Sequence, residues 1–381
     1  MENQVRFHGQ GKEFFGIWIV NVLLSVVTLG IYSAWATVRT NKYFYGNTEL
    51  AGDRFDYHAT PKQILIGRII AMICVLIWVV ASQFFPPVAM VLMLVGVALM
   101  PWLLRNNARF DARMTSYRNV RFDFAGTLKA AYGVFLGWPI LCYLLVGGAL
   151  FLSFSVVVNS PVAGGVLFLL TFVLAFVIYA WVASQIAAYY LNGYRYGNRE
   201  FRAEVELKAY IKTYLLAGLL WVGMTAVLLL LTSLAFGINA LATFQDPAAL
   251  DGGMSQWQVM IFVIYGLMAL AAMIVNGFIR ARIRNYLFGQ VSIEGEPVYQ
   301  LASRMTVAGL VGLILSNVLL LIVTLGLARP WVKVRTARYL AGVTYVIGDL
   351  ALLQAEGKEM AQGAAIADEV ANAFDLGVGI G

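Results

Sequence analysis

Six long apolar runs, at roughly 64–84, 87–104, 131–158, 162–191, 214–243 and 257–279, are separated by short polar segments. Each is near or above the ~20 residues that a helix needs to cross a hydrocarbon core. Two shorter apolar runs flank them and repeat one another. Asn21 to Tyr43 reads NVLLSVVTLGIYSAWATVRTNKY, and Asn317 to Tyr339 reads NVLLLIVTLGLARPWVKVRTARY. Without a gap, the copies share Asn21, Val22, Leu23, Leu24, Val27, Thr28, Leu29, Gly30, Trp35, Val38, Arg39, Thr40 and Tyr43, each paired with the residue 296 positions later. In both, an apolar run is broken by Thr-Leu-Gly and followed by a tryptophan and a basic cluster.

Charge decides how these runs meet the bilayer. Only 12% of residues are charged and 61% are hydrophobic, against about 25% charged in a soluble domain, so the chain is read as a polytopic membrane protein. Lys and Arg fall in Arg6–Lys12, Arg39–Arg68, Arg105–Lys129, Arg195–Lys212, Arg280–Arg304, Arg329–Arg338 and at Lys358; the connections Phe85–Pro87, Asn159–Pro161 and Phe244–Gln256 hold none. Basic residues collect on the cytoplasmic side. The basic segments and both termini are therefore expected on the cytoplasmic side, with those three loops outside. Met1–Glu13 is polar and no small-residue cleavage site follows the first apolar run, so that run is expected to stay in the mature protein.

A single crossing by Phe14–Val38 would put most of the cations outside. Each repeat copy is therefore expected to enter, turn at Thr28–Gly30 or Thr324–Gly326, and return to the same side; the rival reading is one tilted helix containing a glycine. Gly30 and Gly326 supply the backbone freedom that a tight reversal needs. Irregular backbone at membrane depth calls for cover, so the tips are expected beneath neighbouring helices.

With the turn in place, five units emerge, at about 5–48, 54–119, 121–198, 201–290 and 297–342. Each opens on a short alternating segment such as Arg54-Phe55-Asp56-Tyr57 or Arg121-Phe122-Asp123-Phe124 and closes on an aromatic, basic exit such as Tyr194-Arg195-Tyr196. Alternation of that kind reads as half-buried strand, so exits and following openings are expected to pair as small cytoplasmic β-hairpins. The predicted fold is an all-α polytopic membrane protein: six full transmembrane helices, two short same-side hairpins, and a parallel pseudo-repeat about the membrane normal. Residues 1–348 form one transmembrane domain. Residues 349–381, Ala-rich and acidic with helical spacing of Leu353, Met360, Ile366, Val370 and Phe374, form a cytoplasmic helical tail.

Phe-x-Gly before the first helix, Asn21, the Thr-Leu-Gly turn, Trp35, Val38-Arg39-Thr40, Tyr45-Gly46-Asn47-Thr48 and Phe55-Asp56-Tyr57 together resemble the YjgN family of bacterial inner-membrane proteins. The resemblance covers nearly the whole chain. It implies an inner-membrane location and supplies no activity and no catalytic residues.

Chemistry is sparse. His8 and His58 occupy equivalent positions in the first two openings, but no third ligand accompanies them, and Cys74 and Cys142 sit in apolar runs; no metal, cofactor or nucleic acid is expected. All 20 carboxylates lie outside the apolar runs, which argues against a carboxylate proton path, and no hydrolase or nucleotide-binding motif appears, so no enzyme is expected. What the runs do hold is neutral polar residues. Asn21 and Asn317 sit two helical turns before Thr28 and Thr324. This suggests a small-solute or ion transporter or channel, with a path between the hairpins lined by Asn21, Thr28, Gly30, Asn317, Thr324 and Gly326. The alternative for these residues is interhelical glue. Trp35, Arg39, Lys42, Trp331, Arg335 and Arg338 read as an interface belt that meets anionic lipid headgroups. Two other functions stay open: a docking scaffold acting through the cytoplasmic hairpins and tail, and an anionic-lipid-binding or lipid-handling protein. A homo-oligomer is compatible with all three.

Overall fold

The computed structural model describes residues 1–245 and 256–353. The outer loop over 246–255 and the tail helix expected after 353 lie outside them.

The chain starts with β1 (Glu2–Gln4) and β2 (Arg6–Phe7), then α1 (Gly11–Val27) and α2 (Ser33–Gly46). Four strand pairs punctuate the rest: β3 (Thr48–Leu50) with β4 (Asp53–Tyr57), β5 (Thr115–Tyr117) with β6 (Val120–Phe124), β7 (Tyr194–Tyr196) with β8 (Arg199–Ala203), and β9 (Val291–Ile293) with β10 (Tyr299–Ser303). Between them run α3 (Pro61–Phe84) and α4 (Pro86–Met114), then α5 (Leu128–Tyr132), which continues through a π-helical turn into α6 (Trp138–Asn159), α7 (Pro161–Leu191), α8 (Leu207–Gln245) and α9 (Gln256–Gln290). The last unit is α10 (Val307–Val323), α11 (Arg329–Gly342) and β11 (Thr344–Ile347).

Local chemistry sets the helix starts. Thr60, Thr127 and Thr306 each leave a strand in extended conformation and accept a hydrogen bond from a backbone N–H in the first helical turn; Thr60 and Gln63 cap one another reciprocally. At the opposite ends, Pro86 and Pro161 open α4 and α7 one residue after the preceding helix ends, because proline at the first position gives up an N–H that has no helical partner.

Among the described residues, six helical stretches are long and apolar enough to cross a membrane: Pro61–Phe84, Pro86–Met114, Leu128–Asn159, Pro161–Leu191, Leu207–Leu234 and Ile261–Gln290. At most 22% of the most apolar window of any of them is buried in the protein. Lipid must cover the rest. Where hairpin arms do touch, small and neutral polar residues let them approach, as membrane helices require. Ser153 and Thr171 share a buried hydroxyl contact of 3.3 Å between α6 and α7, and a Cβ on Gly164 would stand 2.3 Å from Val157 Cα. Gly164→Val is therefore expected to pry α6 from α7, costing about 1–3 kcal/mol. A melting temperature in detergent equal to that of the parent would contradict this contact.

The β-structure is larger than the separate hairpins expected from the sequence. All eleven strands hydrogen-bond in one antiparallel order, β1-β11-β10-β9-β8-β7-β6-β5-β4-β3-β2. The two ends of that order are consecutive in the chain and separated by Val5 alone, whose N–H donates to Thr344 O at 3.0 Å. Covalent continuity thus closes the sheet into a ring. An isolated hairpin leaves two open edges of N–H and C=O, and four hairpins set side by side, completed by β11, β1 and β2, satisfy one another. Phe55 lies opposite Tyr117, Phe122 opposite Tyr196, Phe201 opposite Ile293 and Leu301 opposite Val346. These residues form one apolar cluster with Leu50, Tyr299, Val5, Leu350 and Leu353, so the lumen is filled by side chains. Among the alternate positions, Asp123 meets the buried Arg113 of α4 at 2.8 Å, while the Arg195–Glu200 and Arg202–Glu294 pairs are exposed enough to add little stability.

A short 3-10 turn, Leu350–Leu352, closes one mouth of the ring. Tyr299 donates its hydroxyl to Asp349 O at 2.9 Å, Arg118 donates to Leu350 O, and Tyr196 donates to Tyr117 O at 2.9 Å. Burial raises the phenols of Tyr117 and Tyr299 above the ordinary phenol value of 10.0 and pushes Tyr196 up to about 12. Their neutral forms belong to the folded state. The stability they supply is fully present below pH 10.0, the unfolded value, and is lost as pH rises through about 12. Melting temperature in detergent should be flat in this respect up to pH 10 and fall above it, in step with tyrosinate absorbance; tyrosinate appearing fully at pH 10 without destabilisation would refute it.

Candidate functional site

The two short units differ from the other three in height. In the first, α1 ends at Val27 with Thr28 as its C-cap, Leu29 takes φ 50° and Gly30 φ 92°, and α2 begins at Ser33; the last repeats this with Leu325 at 48° and Gly326 at 86°. Gly30 N–H reaches back to Ser25 O at 2.7 Å, and Gly326 N–H to Leu321 O at 2.8 Å. Two successive residues in the left-handed region reverse the chain, and the second is glycine because it lacks the Cβ that makes this region costly. Each threonine is part of the same device: Thr28 Oγ1 donates to Leu24 O and accepts from Tyr32 N–H, and Thr324 Oγ1 does so with Leu320 O and Ala328 N–H. Since β2, before α1, pairs with β3, after α2, the unit begins and ends at the β-ring.

The turn stops far below the neighbouring tips. Arg68 of α3 donates to Ser33 Oγ at 2.6 Å and Thr37 Oγ1 at 2.9 Å, which fixes the level of the tip of α2. Beyond Arg68, α3 runs on through Phe84, about 24 Å of helix. In the last unit, Gly277 of α9 is in close contact with Val311 of α10. From that contact α10 rises about 18 Å to Val323, while α9 rises about 31 Å to Gln256. The short units are adjacent, because α1 packs on α11 and the main helix contacts otherwise run round the ring from each helix to the next. The wall of helices is therefore tall from α3 to α9 and low over α10, α11, α1 and α2.

The tips are not under cover, contrary to the expectation from the sequence. Leu29 is 94% exposed and Leu325 93%, with Val26, Val27, Ile322, Val323 and Leu327 exposed beside them. Their backbone needs no cover, since the turn bonds its own N–H and C=O groups and threonine oxygens, and the side chains they present are apolar.

The polar residues below the tips divide into two faces. Asn21 and Asn317 are buried and bond within their own hairpins, Asn21 Nδ2 to Ala36 O at 3.4 Å and Asn317 Nδ2 to Thr336 Oγ1 at 3.2 Å; Asn317 Oδ1 is buried without a partner. On α2, Trp35, Arg39 and Lys42 share one face, Arg39 reaching Tyr32 Oη at 3.1 Å and Asn21 Oδ1 at 3.4 Å. On α11 the matching residues are Trp331, Arg335 and Arg338; Trp331 packs on Phe15, Arg335 donates to Ser316 Oγ at 2.9 Å, and Arg338 donates to Gly9 O at 2.9 Å. The opposite face carries Ser33 and Thr37 in the first unit and Arg329 and Lys333 in the last. Reading the basic run Arg329–Arg338 as one cluster missed this division; the repeat alignment itself held the signal, as the two copies differ in charge at 33/329 and 37/333. His8 pairs with Glu49 at 2.9 Å and His58 with Ser116 at 2.7 Å, each against the strand beside it.

Six apolar spans set on a closed β-ring, with charge among the described residues confined to the ring end and the low hairpins, define a multi-pass integral membrane protein. Residues 2–373 match the model of a family described as a bacterial protein of unknown function, DUF898, and the chain belongs to that family. It is 28% identical over 365 residues to the inner membrane protein YjgN of Salmonella typhimurium, covering 93% of this chain and 90% of that one. The YjgN proteins of Escherichia coli O157:H7 and K12 are 34% and 35% identical over 148 residues, 39% of this chain and 37% of each of theirs. With these relatives, the spans identify an inner-membrane protein. No solved structure matches the chain.

Proposed function

We propose that this protein handles anionic phospholipid, admitting it from the side over the two short hairpins. The observation that carries the reading is the step in the helix wall: two adjacent low units with fully exposed apolar tips, flanked by spans that rise well beyond them. A lipid's chains can lie across an apolar step of this kind without meeting a polar barrier. Two further features support lipid over a water-soluble solute. The β-ring below is filled by Tyr117, Tyr196, Tyr299 and their neighbours and closed by Leu350–Leu352, which leaves no straight aqueous route along its axis. The amides of Asn21 and Asn317, the residues first suggested for a solute path, are engaged inside their own hairpins.

In this reading the β-ring and both ends of every unit face the cytoplasm, because the basic residues gather there. Trp35, Arg39 and Lys42 with Trp331, Arg335 and Arg338 then form a belt at the headgroup level. The test is transbilayer movement of fluorescent phosphatidylglycerol in vesicles containing the purified full chain. A membrane-impermeant reductant should bleach label from both leaflets in protein-containing vesicles and from the outer leaflet alone in protein-free ones. Bleaching restricted to the outer leaflet in both would overturn the proposal. Its orientation is checked by labelling cysteines introduced at Lys42 and Arg54 from either side of the membrane.

A further inference from the structure

The repeat gives an internal comparison that isolates one site. Helix α2 lies between α1 and α3, and α11 lies between α10 and α1, so a residue of α2 and the one 296 positions later point the same way in the ring. At the face of Ser33 and Thr37, the first unit is satisfied: the guanidinium of Arg68, arriving from α3, hydrogen-bonds both hydroxyls. At the same face of the last unit the hydroxyls are replaced by Arg329 and Lys333. One helical turn apart, these two cations repel. Among the described residues, neither side chain takes part in an ion pair or a hydrogen bond.

Their depth makes the missing counter-charge matter. Gly277, against Val311, lies three residues before Arg280, the first cation at the ring end of α9, so this contact marks the edge of the apolar layer. Arg329 starts α11 beside the end of α10, about 15 Å further in, and Lys333 is about 6 Å nearer the edge. Arg335 and Arg338 lie lower still and have oxygen partners in the protein. Charges held inside the apolar layer are costly and are kept where they serve a ligand or a path.

Resting on the side-entry reading above, we propose that Arg329 and Lys333 bind the phosphate of an anionic phospholipid whose headgroup has been drawn below the interface at the low wall. The two side chains project from successive turns of one helix and can bracket a single phosphate. The apolar tip residues Leu325 and Leu327, exposed just above them, take the first part of the acyl chains. The first unit has no equivalent site on this face, because Ser33 and Thr37 stand there and the cation that reaches them, Arg68 of α3, is engaged by their hydroxyls. The duplication has thus produced one binding hairpin and one structural hairpin.

The experiment is native mass spectrometry of the full chain released from nanodiscs holding equal phosphatidylglycerol and phosphatidylcholine. The parent should retain phosphatidylglycerol over phosphatidylcholine by at least about ten-fold. Arg329→Ser with Lys333→Thr, which installs the residues of the first unit, should abolish that preference. Lys62→Gln with Lys208→Gln, removing the same charge elsewhere, should keep it. Should the first double variant melt early, Arg329→Gln alone carries the test, with a clear loss of preference expected. If the parent selects phosphatidylglycerol and the Ser/Thr variant selects it equally, this site is overturned while the side-entry reading stands. A parent without preference overturns the site, and the movement assay then decides the side-entry reading independently. Displacement of the lipid by millimolar inorganic phosphate would overturn the lipid assignment in favour of a soluble anion.

Discussion

Replacing Tyr299 by alanine is expected to cost about 3–5 kcal/mol and to release Asp349–Leu353 from the mouth of the β-ring. Tyr299 is completely buried, its hydroxyl donates to Asp349 O at 2.9 Å, and the guanidinium of Arg199 lies over its ring at 5.4 Å. The ring of side chains around it comes from all five units, so no single helix can shift to fill the space. Two costs add: the transfer of the lost aromatic surface and the cavity left where neighbours are pinned by the sheet. Tyr299→Phe separates them, since it keeps the packing and gives up one hydrogen bond, worth about 1 kcal/mol. Thermal unfolding in detergent measures the stability, and proteolysis near Leu353 reports release of the segment. Equal melting temperatures for the alanine and phenylalanine variants would mean that the cluster does not hold the ring together.

Val5→Pro should open the β-ring at its seam. Residue 5 links β1, which pairs with β11, to β2, which pairs with β3. Proline there removes the N–H that donates to Thr344 O and disfavours regular pairing on both sides, an interior-strand loss of about 3 kcal/mol or more by analogy with helices. The consequence is specific to closure: the first and last units should separate, while the hairpins between them keep their pairing. Hydrogen exchange should rise at Glu2–Gln4 and Thr344–Ile347 and stay low at Thr115–Phe124. Val5→Ala keeps the N–H and should leave exchange at the seam near that of the parent. Uniform exchange across the whole sheet in the proline variant would mean that the ring is not closed at this point.

Much of this architecture was legible in the chain. Lipid is an apolar solvent that forces a helix to satisfy its backbone internally, so a crossing segment must be long, apolar and nearly free of charge, and each of the six spans announces itself by that criterion alone. The Thr-Leu-Gly turn was legible as well, because its chemistry is local: threonine bonds one turn back and one turn forward, and glycine takes the left-handed backbone. Alternation in segments such as Arg54-Phe55-Asp56-Tyr57 marked the strands for the same reason.

The candidate site was only half visible. Arg39 and Arg335 stood out through the repeat, but that Ser33 and Thr37 are engaged by Arg68 of α3, while Arg329 and Lys333 stand at the matching positions of α11, emerges only from packing between elements. The exposure of Leu29 and Leu325 was misjudged because cover at membrane depth is needed by unsatisfied backbone, and the turn satisfies its own.

By itself the sequence determined the number of spans, the place of the reversals and the pairing within the four hairpins β3–β4, β5–β6, β7–β8 and β9–β10, since these follow from hydrophobic length, turn chemistry and period. Only the tertiary structure decided that the hairpins close into one filled ring and that the two low units stand side by side. Both facts rest on the contact between the chain's first strands and its last, where α1 meets α11 and β1 meets β11, and no local pattern encodes a contact between residues more than three hundred positions apart.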